Sequence, residues 1–149
     1  YPADVFIAQF EKVANGFGAG VATLSRHLPI KSDSEGDDAL RNEVRIARAA
    51  ELHFRSVANQ ARFIVARDAL AKASAAQEAE KHLTALEHLL RGEIELARQL
   101  YAIQRADSRI GFEASNQYYY VPADLIEKVL NCADLLDRWL PEQRQKWKL

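Results

Sequence analysis

Three successive tyrosines, Tyr118 to Tyr120, stand in "SRIGFEASNQYYYVP", residues 108–122, a stretch rich in turn formers. Phenol rings beside Glu113, Asn116 and Gln117 offer a flat apolar platform edged with directional hydrogen-bond groups, which suits a carbohydrate or a protein surface. Gly111 fits the positive φ of a helix end, Ser115 and Asn116 favour a turn, and Pro122 holds Val121 extended before starting another helix. An extended chain between those stops alternates its side chains, sending Tyr118 and Tyr120 one way and Tyr119 the other. Glu113, Asn116, Gln117, Tyr118, Tyr119 and Tyr120 are therefore the candidate contact residues for a ligand or a neighbouring domain. The competing expectation is that the rings plug the end of a helical bundle, with their hydroxyls at a wet edge.

Other constellations fall short of a complete chemistry. "NGFGAG", residues 15–20, has the glycines of a phosphate loop, but a helical pattern runs straight through it and no Lys-Ser or Lys-Thr follows. Gly16 and Gly20, four apart, instead predict the close approach of another backbone or a local bend. A di-iron bundle needs Glu-x-x-His on two helices, a pattern that does not occur. Glu78 and His82 make an ordinary surface pair, His53, His82 and His88 read as solvated or boundary residues, and neither metal nor cofactor is expected. Arg41, Arg45, Arg48, Arg55 and Arg62 share one helical sector that could meet phosphates. Glu43 and Glu51 interrupt that sector and no aromatic residues interleave, so a solvated face or a polar contact with a neighbouring domain is expected, not nucleic acid. Cys132 falls on an apolar stripe, where burial raises a thiol pKa. Glu113 is the lone carboxylate of the tyrosine segment, whereas a glycosidase pair requires two, roughly 5 to 9.5 Å apart. No catalytic residue is assigned.

The elements that must position these residues are helices. Phe6, Phe10, Val13, Phe17, Val21, Leu24 and Leu28 recur three or four apart between Pro2 and Pro29. After the polar "IKSDSEGDD", a second helix runs from Asp37 or Asp38 to about Ala71, with Leu40, Val44, Ala47, Ala50, Phe54, Val57, Ala61 and Ile64 on one face. "SAAQ", residues 74–77, has capping-box spacing and opens a third helix. In that helix Ala79, Leu83, Leu86, Leu90, Ile94, Ala97 and Tyr101 form a stripe that Leu89, Leu96, Leu100 and Ile103 widen toward a second neighbour. A fourth helix starts near Pro122, uses Leu125, Val129, Cys132, Leu136 and Trp139, and is expected to break at Pro141. Strict alternation suggests a strand only at 117–121. Short connections make sequential helices antiparallel, so the fold class is all-α: an up-down antiparallel bundle of about four helices with a long central hairpin.

At 149 residues the chain fits one helical domain, 1–149, able to bury a core without staples. Residue 1 is Tyr and no Met occurs, so the sequence reads as a fragment of a longer protein. A formal charge of -1, from 20 basic and 21 acidic residues, provides no global field toward nucleic acid or anionic membrane. One cysteine excludes an internal disulfide, and no apolar run approaches the roughly 20 residues of a membrane span.

The run "ADSRIGFEASNQYYYVPADLIEKVLNC", residues 106–132, preceded by "EIELARQLYAIQ", resembles the helical carboxyl-terminal part of large bacterial proteins of glycoside-hydrolase type, in which a (β/α)-barrel lies upstream. The likeness is concentrated in residues 93–132. It implies a non-catalytic accessory domain of a carbohydrate-active enzyme, packed on the catalytic domain through the Tyr-rich loop. It also implies an extracellular or periplasmic location and a carbohydrate near the site, with the acid and nucleophile in the upstream part. Gln117 stands where that pattern often has His, which puts a substrate role for the loop in doubt. The alternative is a free-standing α-helical protein-interaction module that uses the tyrosine end or the arginine ridge.

Overall fold

A computed structural model describes residues 1–28, 35–113, 117–118 and 120–148; at 35, 112–113 and 117–118 it describes the backbone alone. Helices α1 (Ala3–Ser25), α2 (Glu35–Leu70) and α3 (Ala76–Ala106) come first, then strands β1 (Phe112–Glu113) and β2 (Gln117–Tyr118). Helix α4 (Pro122–Asp134) follows, then a π-helical turn, Leu135–Trp139, and helix α5 (Leu140–Lys146). At 1.5 Å per residue, α2 and α3 span about 54 and about 46 Å and form the long central hairpin. The fold is an all-α up-down bundle. Side-chain pairs fix the antiparallel sense. Glu11 pairs with Arg62 and Asn15 with Arg55 across α1 and α2, while Arg48 meets Gln99 and Asn59 meets Glu93 across α2 and α3. Glu93 with Lys128 and Glu80 with Arg144 do the same between α3 and the chain from α4 to α5.

Helix α3 is central because its apolar positions follow a three-four spacing: Leu83, Leu86, Leu90, Ala97 and Leu100 are all buried. The four leucines divide between two apolar clusters. One joins Leu70, Leu83, Leu86, Leu90, Cys132 and Leu140 with Phe63, Trp139 and Trp147 against it. The other joins Ala49, Leu52, Leu100, Ile110 and Leu125, with Tyr101 and Tyr120 against it. A polar layer built on buried Glu93 lies between the two.

Several local expectations are corrected. Helix α1 meets α2 through Ile7, Phe10, Ala14, Gly18 and Val21, while Phe6, Val13 and Phe17 of the expected stripe stay about 40% exposed. Gly16 and Gly20 face open space, and it is Gly18 that admits a neighbour, with the Glu51 carboxylate 3.0 Å from where its Cβ would stand. The start of α3 is capped one residue out of the expected box: the Ser74 N–H donates to Glu78 Oε2 at 3.1 Å. Pro141 does not end the last helix. It has no N–H for the carbonyl four residues back, so the ladder widens into the π turn, where the Leu140 N–H reaches the Leu135 carbonyl, and α5 continues.

The arginine ridge is also placed differently. Arg48 and Arg55 converge on buried Glu51, Arg62 pairs with Glu11, and Arg45 lies 4.0 Å from Asp107. These guanidiniums lie along the seams on either side of α2, where long stems cover apolar surface while the heads meet carboxylates. Among the described residues no helix is long and apolar enough to cross a membrane.

Candidate functional site

The tip of the bundle, where α3 ends and the tyrosine segment begins, is organised around two buried polar side chains, Gln104 and Asp107. Helix α3 stops at Asp107, whose backbone turns extended (φ -147°, ψ 101°). Its buried carboxylate then accepts the Arg109 backbone N–H at 3.1 Å, Nε at 2.8 Å and Nη2 at 2.6 Å. This guanidinium holds Asp107 down to about 2, well under the usual carboxylate range, with Arg45 adding to the effect. The turn closes with the Ile110 N–H donating to the Asp107 carbonyl at 3.2 Å.

Gly111 comes next, at φ +94°, a conformation that side-chain-bearing residues resist. A Cβ there would lie 2.7 Å from the Tyr120 carbonyl oxygen and 2.9 Å from its ring. The two ends of the tyrosine segment are thus pressed together. Gln104, 2% exposed, ties them: its Nε2 donates to the Tyr120 carbonyl at 2.7 Å and to the Ile110 carbonyl at 3.3 Å. Its Oε1 has no partner among the described residues. Beyond Gly111, β1 and β2 pair antiparallel, Phe112 opposite Tyr118 and Glu113 opposite Gln117. The segment ends where the Val121 N–H donates to Asp124 Oδ2 at 2.7 Å, opening α4 with Pro122 in its first turn.

Tyr120 points into the bundle. Its half-buried ring lies 6.2 Å from His53, which meets Phe54 edge-on at 5.5 Å, and Phe54 continues the aromatic run to Phe10 and Phe17, each 5.9 Å away. Burial raises the Tyr120 phenol and, together with the nearby Lys128 charge, lowers His53, so both stay neutral at pH 7. For Tyr120 the packing expectation holds. The side chains of Glu113, Gln117 and Tyr118 lie outside the described residues, as do Asn116 and Tyr119 altogether.

Beside the segment opens a cleft of about 610 Å³, bounded by Asn42, Ile46 and Ala49 of α2 and by Asp107, Arg109 and Gly111 of the turn. Sequence reasoning placed Gly111 at this helix end but did not single out Asp107 or Arg109. The available signal was "DSR", an Asp followed two residues later by an Arg just past a helical stripe. Ile46, half exposed, forms an apolar floor, while the guanidinium of the largely exposed Arg109 edges the mouth. Such a mixture can seat a polar loop or a small polar molecule but carries no nucleophile paired with a base. Among the described residues no group of His, Cys, Asp and Glu is placed to hold a metal ion.

Neither family models nor curated proteins nor solved structures match this chain.

Proposed function

We propose that this chain is a non-catalytic accessory domain of a carbohydrate-active enzyme, and that its tip packs against the catalytic domain. The observation that carries this reading is the way the two described ends of the tyrosine segment, Ile110–Gly111 and Tyr120, are held against each other. Gln104 bonds both ends of it and Gly111 admits the Tyr120 backbone at a distance no other residue tolerates. A loop that merely connects two helices has no need of a buried amide clamp, whereas one that must present a set surface benefits from it. The adjoining cleft of about 610 Å³ supplies the concave half of such a contact. The choice of a carbohydrate-active catalytic domain as the partner draws on the resemblance of residues 106–132 to the helical part of glycoside-hydrolase-type proteins.

The alternative, a free-standing interaction module, draws on α1, where Phe6, Val13 and Phe17 form an apolar row about 40% exposed. Hydrogen exchange separates the two. In the full-length protein, amides at 39–49 and 107–120 should exchange more slowly than in residues 1–149 alone. A reading frame with no barrel domain joined to these helices, or slowing confined to α1, would defeat the first reading and favour the second.

A further inference from the structure

A second cleft, of about 280 Å³, opens away from the tip between α2, α3 and α4. Phe63, Ile64, Leu89, Leu90, Cys132 and Leu135 make its walls apolar. Its floor is the polar layer that divides the two cores. There Glu93 Oε2 accepts the Ser56 hydroxyl at 2.7 Å and pairs with the Lys128 ammonium, while Oε1 accepts Asn59 Nδ2 at 2.9 Å. Lys128 Nζ also donates to Ser56 Oγ at 2.7 Å, and Gln60 Nε2 donates to the same oxygen at 3.0 Å.

We infer that this cleft binds a small, uncharged, mostly apolar molecule that carries one hydrogen-bond acceptor, the size of a medium-chain alcohol. Three features fix that chemistry. First, the floor is electrically closed, because one carboxylate faces one ammonium. A charged ligand head would leave an uncompensated charge in a partly buried place. Second, Glu93 already receives three donors, whereas the ammonium has three N–H groups and only two acceptors among the described residues, Glu93 and Ser56. The open position is a donor, and it asks for a hydroxyl, ether or carbonyl oxygen. Third, a cavity of about 150 Å³ lined by aliphatic and aromatic side chains takes up benzene. This cleft is about twice that size, with apolar walls above a polar floor, so an eight-carbon chain fits it.

The chain has a single cysteine, Cys132, and it lines the cleft, so the thiol reports occupancy directly. The probes are 1-octanol and sodium octanoate, added to ¹⁵N-labelled protein. Octanol should shift the amides of residues 59–64, 89–93 and 128–135 and slow alkylation of Cys132 by iodoacetamide. Octanoate should bind about tenfold more weakly. Ile64 is half exposed at the mouth and tolerates a larger side chain, so Ile64→Trp should cover the cleft and abolish both effects. Lys128→Met exposes Glu93 to an unpaired state and risks unfolding. With octane as a third probe, the parent should prefer octanol, and the double substitution E93Q/K128M, which removes both charges together, should reduce that preference. Octanoate binding as tightly as octanol, shifts confined to α1 or the tip, or unaltered binding by I64W would each overturn the inference. None of these results bears on the tip, which shares no residue with this cleft.

Discussion

Glycine substitutions of opposite sign test the packing of the tip and of α1 in one experiment. Gly111→Ala forces a Cβ onto a residue at φ +94°, where left-handed strain costs about 1 to 2 kcal/mol. The new methyl would also stand 2.7 Å from the Tyr120 carbonyl oxygen. That atom is backbone and accepts the Gln104 amide, so relief requires the clamp to open, at about 1 kcal/mol for the lost bond. The sum, about 2 to 3 kcal/mol, corresponds to a Tm lower by roughly 5 to 10 °C in a chain of this size. Gly16→Ala should move the other way. Nothing lies within 4 Å of its added Cβ and its backbone is helical, so it gains helix propensity of about 1 kcal/mol. Gly18→Ala falls between them, since its Cβ would press on the Glu51 carboxylate that holds Arg48 and Arg55. Urea and thermal unfolding followed by circular dichroism read all three. A Gly111→Ala protein as stable as the parent would refute the account of the tip, and a Gly16→Ala protein less stable than the parent would refute the account of α1.

Four other outcomes follow from particular contacts. The Asp107 carboxyl should titrate near pH 2, and Arg109→Gln should return it toward the ordinary Asp value; ¹³C NMR of the side chain reads both. Because the folded pKa lies below the unfolded one, the stability this group contributes is complete above about pH 4 and is lost as pH falls toward 2. His53 gives a second pH dependence: its folded pKa is lowered, so stability is complete above the ordinary His value of about 6.5 and declines as pH falls through it, an effect absent in His53→Phe. Lys128→Met should destabilise by about 2 to 3 kcal/mol by leaving Glu93 buried without its cation, and E93Q/K128M should recover most of that in a denaturant midpoint. Tyr120→Ala, removing a half-buried ring from the cluster of Leu52, Leu100, Ile110 and Leu125, should cost about 2 kcal/mol in the same assay.

The helices themselves were legible because apolar spacing and proline placement are local signals. Asp37 or Asp38 was the expected start of α2 and Glu35 is the observed one; Pro122 opens α4 as expected. Gly111 was legible for the same reason, since a turn after a helix needs positive φ and only glycine takes it freely. The π turn was not, because Pro141 can either stop a helix or be absorbed by a wider ladder, and packing of Leu140 into the core decides for the second. Buried polar residues were missed for a different reason. Glu93 and Gln104 sit in register with Leu86, Leu90, Ala97 and Leu100, and this phase was the clue that they face inward. Their partners, however, come from α2, α4 and the tip, and no single-helix pattern contains them. The same holds for the arginines of α2, which on their own helix read as a solvated face but meet carboxylates supplied by α1, α2 and the α3 terminus.

Helix α1 packs along α2, with Ala14 its one fully enclosed residue, and its Ile7 shares a shallow cleft with residues of α2 and α3. Its detachment would leave the remaining helices with both clusters of their interior intact, since neither cluster draws a residue from α1. Opening of the amino-terminal rod as a unit would give up one seam, the one with α2, where Glu11 pairs with Arg62 and the Phe10 and Phe17 rings lie against Phe54. Such an opening would bare the Phe54 ring, which the rod otherwise shelters.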